Sequence, residues 1–123
     1  MKKLVFVSLL ITMFSSCAVK PLYSWGKYEA ASYNYLKKSD EKSTQQLIEA
    51  YEKIIKKQNG TRGVVPPGVY ADYGFVLLQT NKMAQGKAML EKEIALYPES
   101  KIFIDRILKM TEKSDRNFYN KID

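Results

Sequence analysis

Apolar residues recur at helical spacing along most of the chain. Leu47, Ile48, Tyr51, Ile54 and Ile55 fall at i, i+1, i+4, i+7 and i+8, the stripe of an amphipathic helix. Val69, Tyr70, Tyr73, Val76 and Leu77 repeat that spacing. Met83, Gly86, Leu90, Ile94 and Tyr97 share a third face, and Phe103, Ile104, Ile107 and Leu108 a fourth. Ahead of these, residues 25–38 place Trp25, Tyr28, Tyr33 and Tyr35 among good helix formers. No segment alternates with the period of two that a half-buried strand requires. The pattern predicts five helices and an all-α fold of antiparallel hairpins, about two pairs and a C-terminal capping helix.

Punctuation supports these elements. Ser39-Asp40 has turn and cap character, and Ser43 with Gln46 fits a capping box opening the second helix. Asn59-Gly60 ends it. A nine-residue loop, 58–66, leads to Pro66-Pro67, where Pro67 suits the first turn of the third helix. Asn81-Lys82 is a tight connection to a fourth helix over about 83–96, stopped by Pro98. Ser100 is placed to cap the fifth, and from Glu112 the pattern turns polar and predicts fraying.

The first residues follow another pattern. Lys2 and Lys3 precede eleven residues, Leu4 to Phe14, of which only Ser8 and Thr12 are polar. As a helix this run spans roughly 17 Å, short of the ~30 Å hydrocarbon core, so it reads as a secretory signal and not a membrane span. The expected organisation is a signal peptide over 1–16, an N-terminal tether over 17–24, a helical domain over 25–111 and a polar tail over 112–123.

Composition narrows the chemistry. Lys plus Arg is 20 against 13 acidic residues, a net +7, histidine is absent, and Cys17 is the single cysteine. Without histidine there is no Ser-His-Asp or Cys-His arrangement, and one cysteine makes neither an internal disulfide nor a CxxC site. Loss of residues 1–16 leaves 107 residues with a net +5. Glu91 and Glu93 stand about 200° apart on a helix and so do not face one another. Glu49 and Glu52 share a face but read as solvated partners of Lys53 and Lys56. No catalytic residue, metal or cofactor is expected, and the protein is read as a non-enzyme. Nucleic acid is not an expected partner of an exported protein. The lysine excess suits anionic headgroups or anionic envelope polymer.

The stretch Phe14-Ser15-Ser16-Cys17 resembles a bacterial lipobox, with Phe14 where leucine is usual. The resemblance implies that Cys17 is acylated with diacylglycerol and becomes the first residue of the mature chain. Ala18 stands where an aspartate would retain an enterobacterial lipoprotein at the inner membrane. By that rule the address is the periplasmic face of the outer membrane.

Residues 67–100, 34 in number, resemble a tetratricopeptide repeat. Tyr70 supplies the bulky aromatic, Tyr73-Gly74 stands for Leu-Gly, and Leu77 takes the usual tyrosine position. Gly86 is the small residue at the helix crossing, Leu90 takes the phenylalanine position, and Pro98 closes the repeat. Glu93 departs from the expected alanine. The pair over 25–57 is a degenerate copy. The resemblance implies an inner face on the third helix formed by Ala71, Asp72, Phe75, Leu78 and Gln79, where such domains take extended or helical segments of partners.

Leu22-Tyr23-Ser24-Trp25-Gly26-Lys27-Tyr28, Val65-Pro66-Pro67-Gly68 and the segment from Glu91 to Ser100 together resemble a family of small bacterial lipoproteins of uncharacterised function. Its members are often encoded beside lipoproteins similar to the curli-secretion pore. The resemblance implies an accessory in an envelope assembly, with such a pore-like lipoprotein among the possible partners. Three surfaces are candidates for binding: Asp72, Phe75, Leu78 and Gln79; Val64 and Val65 in the long loop; and Tyr23, Trp25 and Tyr28 beside the membrane. The expected function is a non-enzymatic adaptor anchored at the outer membrane. The alternative is a binding module for peptidoglycan or polysaccharide.

Overall fold

The computed structural model describes the backbone of residues 19–119 and the side chains of 19–113. The signal segment and Cys17 lie outside the described residues. Among the described residues five α-helices follow one another: α1 Tyr28–Lys38, α2 Glu41–Lys56, α3 Val69–Gln79, α4 Met83–Leu96 and α5 Lys101–Tyr119, with a 3-10 turn at Pro98–Ser100 before α5. There is no strand among the described residues. The fold is all-α, built of antiparallel hairpins in a tetratricopeptide-like arrangement.

Three helix starts differ from the sequence expectation, each for a local reason. Trp25 precedes α1: Gly26 takes a left-handed φ of 54°, and the Tyr28 N–H donates to the Trp25 carbonyl at 3.0 Å, so the chain turns before it coils. At α2 the capping box is Asp40 with Ser43, three residues earlier than Ser43 with Gln46. Asp40 Oδ1 accepts from the Ser43 N–H at 2.7 Å, and Ser43 Oγ accepts from the Asp40 N–H at 3.1 Å. Hydrogen bonds from Ser43, its side chain first and its backbone N–H next, hold the Asp40 carboxyl below its usual value. α3 begins after Gly68, at φ 88°, and not at Pro67.

α3 is the axis of the molecule. Eight of its eleven residues are buried. One cluster joins it to α1 and α2 through Ala31, Leu47, Tyr51, Ile54, Tyr73 and Leu77. A second joins its other side to α4 and α5 through Ala71, Leu78, Leu90, Ile104 and Ile107. The α3–α4 crossing needs both glycines. A Cβ on Gly74 would stand 2.9 Å from the Gly86 carbonyl oxygen, and one on Gly86 would stand 2.8 Å from the Leu78 side chain.

α5 caps the second cluster with Ile104 and Ile107, whereas Phe103, expected beside them, is 58% exposed. The helix continues through Tyr119 where fraying from Glu112 was expected. Within the expected 17–24 tether, Pro21 and the residues after it are bound to the domain. The Thr61 and Arg62 N–H groups donate to the Pro21 and Leu22 carbonyls at 3.0 and 3.1 Å, and Gln58 exchanges two hydrogen bonds with the Ser24 backbone. Gly60 permits this approach, because a Cβ there would lie 2.6 Å from the Tyr23 Cα.

Candidate functional site

Asp72, Phe75 and Gln79 are the exposed positions of the otherwise buried α3. At i, i+3 and i+7 they form one stripe. The stripe lines a groove of about 310 Å³ whose other wall is α1, with Tyr28, Ser32, Tyr35 and Leu36, and whose floor includes Tyr51 of α2. The Tyr35 hydroxyl donates to Gln79 Oε1 at 3.2 Å and ties one end of the groove. Phe75 stays 41% exposed above it.

Tyr28 of the wall and Tyr51 of the floor belong to a longer run of rings. Trp25, Tyr28, Tyr51 and Tyr73 stand in a ladder with successive ring centroids 5.4, 5.4 and 5.5 Å apart. Such contacts add roughly 0.5–1.5 kcal/mol each beyond area burial. The Tyr73 hydroxyl donates to Glu52 Oε1 at 2.9 Å, and burial followed by that carboxylate pushes the phenol up to about 12. Burial, then the Asp72 charge, also raises the Tyr51 phenol. The Asp72 carboxyl is itself raised, first by loss of hydration among its neighbours and then by the Glu93 charge, with a hydrogen bond from the Tyr28 hydroxyl opposing. A carboxylate held so, beside an exposed phenylalanine, can accept a hydrogen bond or face a cation at the edge of an apolar surface.

Two expected binding residues are buried. Leu78 is 6% exposed, because it points from α3 toward Gly86 and α5 and not into the groove; Ala71 goes the same way. Val65 is 7% exposed, its carbonyl accepting the Tyr97 hydroxyl at 2.6 Å, while Val64 remains 43% exposed. The loop is thus fastened on one side. The expected membrane-side aromatics divide. Tyr28 sits in the ladder, Trp25 covers its end at 42% exposure, and the Tyr23 hydroxyl accepts from Arg62 Nη1 at 3.2 Å. Trp25, Tyr33 and Leu36 border a second concavity of about 480 Å³ that shares Tyr28, Ser32 and Leu36 with the groove. A continuous apolar strip therefore runs from Trp25 to Phe75.

Sequence reasoning missed Tyr35 and Tyr51 as groove residues and Glu93 as the group behind Asp72. Tyr28 and Tyr35 are seven apart on one helix face, which was a readable signal. Glu93 is fully buried. Its Oε1 accepts the Gly68 N–H at 2.7 Å, capping α3 from a different helix, and the Ser100 hydroxyl at 3.5 Å, while Oε2 has no partner. Its departure from the repeat pattern was the trace of this role. Among the described residues no group of three acidic or thiol side chains is arranged to hold a metal ion, and no helix is long and apolar enough to cross a membrane.

No curated protein and no solved structure matches the chain. One family model does, described as a domain of unknown function (DUF4810), and it covers residues 22–107, from the docked N-terminal segment to the cap that α5 places on the second core. The chain belongs to the DUF4810 family.

Proposed function

We propose that this protein is a lipoprotein anchored through Cys17 to the periplasmic face of the outer membrane, where it serves as a non-enzymatic adaptor in a cell-envelope assembly. In this reading the groove between α1 and α3 takes a segment of an envelope partner, a pore-forming lipoprotein among the candidates. The supporting observation is that Asp72, Phe75 and Gln79 remain exposed on a helix buried everywhere else, opposite the aromatic wall of α1. An exposed aromatic in a concave apolar site is the anchor type that dominates protein interfaces. Asp72 supplies the polar contact that sets orientation.

The test is capture from detergent-solubilised membranes with the full chain and its Phe75→Arg variant. A reproducible envelope protein should return with the wild type and fall at least tenfold with the variant, whose unfolding midpoint should stay unchanged. Capture of nothing reproducible sinks the adaptor reading. In the same cells Cys17→Ser should move the protein out of the membrane fraction. Unchanged membrane retention would sink the anchor.

A further inference from the structure

The outer face of α5 is distinct from the groove. At 100° per residue, Ile104, Ile107, Leu108 and Thr111 define the face that packs on α3 and α4. Opposite them, within an arc of about 120°, lie Ile102, Phe103, Arg106, Lys109, Met110 and Lys113. All six are exposed, Ile102 by 70%, Phe103 by 58% and Met110 by 63%. Three are apolar, three are basic and none is acidic. Asp105 and Glu112 fall to one side of the arc, where Asp105 takes Lys101 in an i, i+4 pair at 2.7 Å.

We infer that this face lies on the surface of an anionic lipid bilayer. A helix that interleaves apolar and cationic side chains on one face satisfies both parts of an interface, the headgroup phosphates and the acyl boundary beneath them. A protein partner of ordinary composition would leave some of three adjacent cations without a counter-charge; an anionic leaflet supplies one to each. The position on the fold agrees. The Tyr97 hydroxyl, just before α5, donates to the Val65 carbonyl of the long loop at 2.6 Å, and Thr61 and Arg62 of that same loop hold the Pro21 and Leu22 carbonyls, so one loop joins the N-terminal segment to the approach to α5. There Val19 is 90% and Leu22 58% exposed, and Lys20 is exposed as well. A chain held to a membrane by its N-terminus would bring Ile102 and Phe103 to the same surface. The groove, lined by α1, α2 and α3, stays free for a partner.

The experiment places an environment-sensitive fluorophore on Met110→Cys in the full chain with Cys17→Ser. Vesicles are phosphatidylethanolamine with 30% phosphatidylglycerol, or neutral phosphatidylcholine, each carrying a lipid-borne quencher. The same label on Lys42→Cys of α2 is the reference. Quenching at position 110 and not at 42, only with anionic vesicles, is expected. Arg106→Glu, Lys109→Glu and Lys113→Glu together should weaken it by roughly 100-fold, while circular dichroism shows the helices intact. A label at 110 that stays in water with anionic vesicles overturns the inference, as does equal quenching with neutral vesicles. Sedimentation with peptidoglycan without lipid quenching would assign the face to polymer and overturn it equally. None of these results depends on capture by the groove.

Discussion

The two hairpins of this domain solve the same packing problem in opposite ways. α3 and α4 meet backbone to backbone, with Gly74 and Gly86 at the crossing and Leu90 fully buried beside them. α1 and α2 meet through large aromatic rings, and Ala31 is the one buried residue of α1. Close approach leaves no room for adjustment, so the second hairpin acts as a scaffold. Ring contacts leave edges, so the first hairpin keeps Tyr33 at 64% and Leu36 at 75% exposure beside the groove. The wall that α1 gives the groove therefore belongs to the hairpin that packs less tightly.

Gly74→Val gives the largest test of this contrast. Its side chain would press on the Gly86 carbonyl and on Leu90, and should lower unfolding free energy by about 3 kcal/mol in chemical denaturation. Leu36→Ala on α1 should change it by less than about 0.5 kcal/mol. Similar losses at both sites would dissolve the distinction between scaffold and surface.

Glu93 links the scaffold to the groove. Glu93→Ala strips the Gly68 N–H of its acceptor and should cost about 2 kcal/mol, whereas Glu93→Gln keeps an acceptor and should lose far less. Both should lower the Asp72 carboxyl toward its ordinary value, because the Glu93 charge helps to raise it. The sign follows from linkage. A raised acid favours the fold below the ordinary carboxylate range and loses that contribution as pH rises through the folded-state value. Stability of Glu93→Gln should therefore fall less steeply than wild type as pH rises through that window. An unmoved Asp72 resonance in carboxyl-detected NMR titration would uncouple the two regions.

The smallest effect is at the seam between the hairpins. The Tyr73 phenol, raised to about 12, favours the fold below its ordinary pKa near 10, and the contribution disappears as pH climbs through the folded value. A loss on the order of 1 kcal/mol is expected across that range, and Tyr73→Phe should flatten it. Parallel alkaline curves for the two proteins would show that the ladder does not carry this load.

The stripes at Leu47–Ile54 and Val69–Leu77 were legible because helical periodicity is local. The glycine crossing was legible because a tetratricopeptide-like hairpin demands small residues at a set spacing. Leu78 and Val65 were misplaced for a shared reason. Periodicity says that a helix has an apolar face, and loop length says that a segment is long, but neither says how many neighbours surround it. α3 has neighbours on both flanks, so Ala71 and Leu78 are taken by α4 and α5, and only the arc of Asp72, Phe75 and Gln79 is left open. The loop is held by Tyr97, thirty-two positions downstream of Val65, through a contact that no local pattern encodes.

Residue spacing and residue type therefore settled the all-α class and the hairpin over residues 67–100, since each depends on neighbours within a few positions. Three-dimensional packing alone chose the groove, closed the N-terminal segment onto the long loop and set the Glu93 charge behind Asp72. Those outcomes depend on which surfaces meet across separations of 25 to 44 residues, where burial and unpaired charge act on the assembled fold.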